Sequence, residues 1–125
     1  MSIGEFCNRE VVVAERNDSV LEAARLMRQH HVSALVVVAS SDGTRVPVGI
    51  VTDRDLVIEV LAARLDPETV RLGDLMIEPL CTVRERDGVF ETMRRMREHG
   101  VRRVPVVNER GGLQGIVAID DLIAV

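Results

Sequence analysis

The chain has 125 residues, 46% of them hydrophobic and 29% charged, the profile of one folded domain rather than of a disordered segment. Its formal net charge is −4, all 16 basic residues are arginine, and Phe6 and Phe90 are the only aromatic residues. Mild acidity and so few aromatics argue against a surface that neutralises and stacks nucleic acid, whereas arginine suits forked contacts to phosphate or carboxylate. Cys7 and Cys81 form no CxxC pair and no metal-ligand spacing, so both are expected as reduced, buried thiols. No stretch reaches the length of a membrane span. The start, MSIGEFCNRE, lacks the basic region and apolar core of a signal peptide. A cytoplasmic protein with no membrane association is the expectation.

Taken in order, the chain opens with a β-prone run, REVVVA. Asp18-Ser19 then supplies a helix start signal, and Val20, Ala23, Ala24 and Met27 recur at helical spacing, the pattern of a core-facing stripe. Two apolar runs follow, SALVVVA and VPVGIV, on either side of a Gly-containing loop, and read as a hairpin. A helix is expected from near Asp53 to about Arg64. Asp66-Pro67 reads as a linker. The same order then returns: PLCTV, a helix announced by Asp87-Gly88 with Val89, Met93 and Met96 on its inner face, the run VRRVPVV, a loop, and GIVAIDDL. The final helix is expected near Ile119, cut short by the chain end.

The return is an internal repeat. A shift of 69 positions lays Gly4 on Gly73, Asp18 on Asp87, Val20 on Val89, Glu22 on Glu91, Met27 on Met96, His30 on His99 and Val32 on Val101. After the loops SSDGTR and NERGG the shift becomes 66, and Gly49-Ile50-Val51 lies on Gly115-Ile116-Val117. Length changes of this kind are tolerated in loops. The fold expected is α+β: two β-α-β-β-α repeats, residues 1–66 and 67–125, packed about a pseudo-twofold axis. Each copy of about 60 residues is marginal in size for standing alone.

One stretch, GIVTDRDL from Gly49 to Leu56, carries the chemistry. Thr52 followed three residues later by Asp55 is close to a capping box, which closes open N–H groups at a helix start and needs no ligand. The same residues at a helix N-terminus also suit a ribose or phosphate, with a hydroxyl to donate and a carboxylate to accept. Arg102 and Arg103 precede Val104 at the mouth of a strand, placed either as solvated side chains or as anion contacts. Adjacent helix residues do not face one way, so His30, His31 and His99 are not expected to form a metal site; His30 and His99 suit the helix C-terminus by charge.

The tandem repeat, the pattern D-x-V-x-E-x-x-x-x-M in its first helix, the run VRRVPVV and the endings GIVTDRDL and GIVAIDDL together resemble the CBS domain, named for cystathionine β-synthase. Two copies in one chain resemble a Bateman module. The resemblance covers about residues 4–125, and TDRDLVIEVLAARLDPETV is similar to stand-alone bacterial pairs of the hypoxic response protein type. It implies two clefts between the repeats that take adenosyl ligands such as AMP, ADP, ATP, NAD or S-adenosylmethionine. The family's nucleotide motif, a glycine, two apolar residues, Thr or Ser, two free positions and Asp or Asn, fits Gly49 to Asp55 throughout. In the second copy it keeps Asp121 but has Ala118 in place of the hydroxyl. The resemblance implies that Thr52 and Asp55 share a cleft with Arg102 and Arg103, whereas Ala118 and Asp121 share the other with Ser33 and Ala34, so that the first binds phosphorylated ligands better. Val12, Val13, Val32 and Ile50 are candidates for a base pocket, with plain core as the alternative.

No nucleophile, base and orienting acid stand at recognisable spacing, and there is no P-loop. The leading expectation is therefore a non-enzymatic regulatory module without a required cofactor, forming a homodimer and signalling to a protein partner. The alternatives are a structural dimerisation or docking module with degenerate clefts, and an RNA- or DNA-binding adaptor, against which acidity and missing aromatics count.

Overall fold

The computed structural model describes residues 1–123. The first copy comprises β1 (Val13–Ala14), α1 (Val20–His30), β2 (Ala34–Ser41), β3 (Thr44–Thr52) and α2 (Asp53–Leu56), which continues as a π-helical turn, Val57–Leu61. The second comprises β4 (Val83–Arg84), α3 (Val89–His99), β5 (Arg103–Val107), β6 (Leu113–Ala118) and α4 (Ile119–Ile123). The β-α-β-β-α order expected from the sequence is present twice. Two three-stranded sheets result, ordered β1-β2-β3 and β4-β5-β6. In each, the short first strand runs parallel to the strand after the helix, with Val13 opposite Val36 and Val83 opposite Val106. β5 and β6 are antiparallel, with Arg103 opposite Ala118.

The helices begin and end where local chemistry dictates. Ser19 caps α1: the Glu22 N–H donates to its Oγ at 3.1 Å, and the Glu22 carboxylate accepts from the Ser19 N–H at 3.3 Å. Gly88 starts α3 without a side-chain cap. Both helices stop at a left-handed residue, His31 (φ 54°) after α1 and Gly100 (φ 66°) after α3. The helix expected to run from Asp53 to Arg64 is α-helical only to Leu56. Val57, Ile58 and Val60 are β-branched and crowd the preceding turn, and the winding loosens there, with the Ala62 N–H reaching the Val57 carbonyl at 2.8 Å.

Packing divides the chain into two compact units that interleave along the sequence. One consists of residues 12–40 and 48–80; the other of residues 1–11, 41–47 and 81–125. In the first unit, Val20, Ala23 and Met27 of α1 meet Leu35 and Val37 of β2, Val51 and Val60, and Leu72 is fully buried among them. Leu72 opens a 3-10 turn, Leu72–Asp74, whose N–H groups at Leu72 and Gly73 donate to the Asp18 and Arg16 carbonyls at 3.0 Å each. In the second unit, Met96 of α3 packs with Val83, Val104, Val106, Val117 and Leu122, and the buried plug is Ile3. The 3-10 turn Ile3–Glu5 repeats the arrangement: the Ile3 and Gly4 N–H groups donate to Asp87 and Glu85, both at 2.8 Å. Under the shift of 69 positions Ile3 is Leu72 and Asp87 is Asp18. The segment that opens each copy therefore seats its plug in the unit built around the other copy's helix.

The two motif glycines are set by this arrangement. A Cβ on Gly49 would lie 2.6 Å from Met76 Sδ, and one on Gly115 would lie 2.8 Å from both the Asn8 carbonyl oxygen and Cys7 Sγ. Met76 and Cys7 are equivalent positions. Each glycine makes room for the segment that carries the plug.

Candidate functional site

β3 ends at Thr52, and α2 begins at Asp53. The capping box foreseen at Thr52-x-x-Asp55 is formed in full. The Asp55 N–H donates to Thr52 Oγ1 at 3.2 Å, and the Thr52 N–H donates to Asp55 Oδ2 at 2.8 Å. Both residues are half-buried. The cap uses Thr52 as an acceptor only, so its hydroxyl proton is left over, and it uses one carboxylate oxygen, so Oδ1 is left over as well. The Asp53 N–H donates to the Ser33 carbonyl at 2.9 Å, which ties the start of α2 to the entry of β2. Ser33 and Ala34 thus lie beside the Thr52 turn of their own copy.

The second copy repeats the frame with other chemistry. The Ile119 N–H donates to the Arg102 carbonyl at 2.8 Å, the counterpart of the Asp53–Ser33 bond. Arg102 and Arg103 therefore lie beside the start of α4, with Arg103 opposite Ala118. Arg102 Nη2 donates to Asp120 Oδ1 at 3.1 Å, and these side chains are 72% and 79% exposed. Asp121 is exposed, and Ala118 is half-buried. The structure thus brings Arg102 and Arg103 together with Ala118 and Asp120, and Ser33 and Ala34 together with Thr52 and Asp55. Asp120 as the partner of Arg102 was not foreseen. No local sequence signal marked it, because the two residues stand at opposite ends of a hairpin and the equivalent of Asp120 in the first copy is Arg54.

Of the residues considered for a base pocket, Val12 and Val32 are half-buried and pack against the first unit's core. Val13 sits in β1, and Ile50 is half-buried on β3. His30, His31 and His99 are exposed, and His99 Nδ1 lies 2.9 Å from the Arg95 carbonyl. Among the described residues no three His, Cys, Asp or Glu side chains gather as a metal-ligand set, and no helix is long and apolar enough to cross a membrane. Cys81 is buried and Cys7 half-buried, both as free thiols.

Known proteins share this arrangement. An uncharacterized protein of Methanopyrus kandleri is 37% identical over 125 residues, the whole of this chain, which spans 62% of that protein's length. Hypoxic response protein 1 of Mycobacterium tuberculosis is 36% identical over 118 residues, 94% of this chain and 80% of the relative. The crystal structure of Hypoxic Response Protein I with two coordinated zinc ions matches with a TM-score of 0.84 at 35% identity, over 99% of this chain and 98% of that one. A CBS domain protein from Pyrobaculum aerophilum complexed with AMP matches with a TM-score of 0.84 at 29% identity, over 97% and 89% of the two chains. Residues 3–62 and 72–125 each match the CBS domain family, and the chain belongs to that family as a tandem pair of CBS domains.

Proposed function

We propose that this CBS pair is a non-catalytic regulatory module that binds an adenine nucleotide or another adenosyl ligand. Thr52 and Asp55 hold the ribose, and Arg102 and Arg103 serve the phosphate. The observation that carries this reading is the Thr52–Asp55 box, in which the cap leaves one hydroxyl proton and one carboxylate oxygen for a ligand. An AMP complex of a relative sharing 29% of the sequence supports the ligand class. The Arg102–Asp120 ion pair is exposed and contributes little stability, so Arg102 can leave Asp120 for a phosphate at small cost. Binding acts by favouring one geometry of the pair or of a homodimer, with a coupling energy of about 1–3 kcal/mol, in a cytoplasmic setting.

The test is a thermal-shift and calorimetric screen of AMP, ADP, ATP, NAD and S-adenosylmethionine on the native protein and on Asp55→Asn. The asparagine oxygen can still accept from the Thr52 N–H, so the cap survives while the charge is removed. Saturable binding that weakens about tenfold or more in a folded Asp55→Asn supports the proposal. No binding by any of the five removes it. The second reading, a docking or dimerisation module without a ligand, rests on Val57, Ile58, Leu61 and Leu65, which are 53%, 45%, 72% and 49% exposed just beyond the cap. It becomes the better account if the screen is empty.

A further inference from the structure

The second unit contains a hollow of about 460 Å³ that the nucleotide reading does not use. It lies where β4 and β5 end and α3 begins, lined by Thr82, Arg84, Arg86, Arg95, Asn108 and Gly111. Arg102 and Arg103 stand at the opposite end of β5. Val107 lines the hollow four residues along from Arg103, a separation of about 13 Å at roughly 3.3 Å per strand residue.

Three features point to an anion. First, three arginines face one concave space. Second, Arg95 Nε is buried without a hydrogen-bond partner among the described residues, and Arg95 Nη2 reaches only as far as Cys81 Sγ at 4.0 Å, a weak acceptor. A charged donor buried in this state favours an arriving acceptor. Third, the protein already places a carboxylate on the other two arginines. Glu109 Oε2 lies 3.4 Å from Arg84 Nη1, and Glu109 Oε1 lies 3.3 Å from Arg86 Nη1. These contacts are long for charge-assisted bonds, and Glu109 is 66% exposed. It is a displaceable internal ligand. Asp87 and Glu91 also line the hollow. Asp87 Oδ2 is engaged by the Arg84 N–H at 2.9 Å, which turns it into the chain, and Glu91 is exposed.

The fold does not demand this charge. In the first copy the positions of Arg84, Arg86 and Arg95 hold Glu15, Asn17 and Leu26. The arginines are specific to the second copy although the backbone around them is repeated. We propose that the hollow is a second binding site, for the phosphoryl group of a small phosphorylated molecule, and that Glu109 occupies its arginines until such a group displaces it. The volume exceeds what a bare phosphate fills and falls in the range of small-molecule sites.

The experiment is a two-dimensional NMR titration of the full chain at fixed ionic strength with inorganic phosphate, ribose 5-phosphate and ribose. None of these carries adenine. The native protein is compared with Arg95→Gln, Glu109→Gln and Asp55→Asn. The expected result is saturable shifts at Thr82, Arg84, Asn108 and Gly111 with ribose 5-phosphate and none with ribose. Inorganic phosphate binding as well as ribose 5-phosphate would assign the site to free phosphate instead of a phosphate ester. Arg95→Gln should weaken binding about tenfold or more, Glu109→Gln should tighten it a few-fold, and Asp55→Asn should leave it unchanged. If Arg95→Gln does not fold, Arg86→Gln, at an exposed position, takes its place with the same expectation. Absence of shifts at these four amides, equal binding by Arg95→Gln, or no gain in Glu109→Gln overturns the proposal. Loss of binding in Asp55→Asn would assign the phosphate to the nucleotide residues instead.

Discussion

The starts of α2 and α4 share a backbone and differ in what they offer. In each, the first helical N–H is tied to the residue that enters the preceding central strand, Asp53 to Ser33 in one copy and Ile119 to Arg102 in the other. In the first copy the frame carries a threonine and aspartate that cap each other. In the second it carries Ala118, and an arginine leans on Asp120. Duplication preserved the hydrogen bonds that hold strand to helix, because an unpaired N–H in a half-buried turn is costly in either copy. Side chains at the same turn could change, because the bonds that tie strand to helix run between backbone groups. The capped hydroxyl and carboxylate stand in the first copy and the exposed arginine in the second, so one backbone plan carries two unlike turns.

The largest effects should come from the plugs. Ile3→Ala and Leu72→Ala each remove a fully buried branched side chain and should each cost about 2–5 kcal/mol. Native-state hydrogen exchange separates them. Leu72→Ala should lower protection first in α1 and β2, and Ile3→Ala first in α3 and β5. If both variants loosen the same helix, the assignment of plugs to units is wrong. The caps come next. Thr52→Ala should cost about 1 kcal/mol in urea denaturation, and Ala118→Thr should recover part of that amount for α4. Equal and negligible effects would mean that the Thr52 hydroxyl serves a ligand alone. At the helix ends, His31 holds a left-handed conformation that Gly100 adopts without a Cβ, so His31→Gly should stabilise by up to about 1 kcal/mol while α3 needs no such change. A loss of melting temperature would show that the His31 side chain has a role of its own.

The smallest effect is a pH dependence. The Ser2 N–H donates to Glu5 Oε2 at 2.9 Å and lowers the carboxyl pKa below its ordinary value of 4.5. A depressed folded pKa means that the contribution is complete above pH 4.5 and is lost as pH falls through the folded value. An NMR titration of Glu5 should give a midpoint below 4.5, with the Ser2 amide moving in step. A midpoint at or above that value would remove the bond from the account of the second unit's first turn.

How much was legible varied with the range of the interaction. The helical stripes, hairpins and repeat are local patterns with a fixed period, and α1, α3 and the strands followed them. The Thr52–Asp55 box was legible because its partners are three residues apart. The π turn after Leu56 was missed because a run of β-branched residues alters helix winding without breaking the apolar period. The Arg102–Asp120 pair joins two residues across a hairpin, and Arg84, Arg86 and Arg95 look like solvated charges until strand ends and a helix bring them around one hollow.

By itself, the sequence determined that the chain is a duplicated β-α-β-β-α unit, which residues face the cores, and where the hydroxyl and carboxylate of the Thr52–Asp55 box stand. Those follow from periodicity and from contacts between near neighbours. Only the tertiary structure decided that Ile3 and Leu72 are seated outside their own copies, and that Gly49 and Gly115 are glycines because Met76 and Cys7 press against them. The physical reason is that two equivalent segments, Ile3–Glu5 and Leu72–Asp74, match two equivalent slots. Nothing in either segment's local pattern states which slot it fills, and the choice rests on long-range packing.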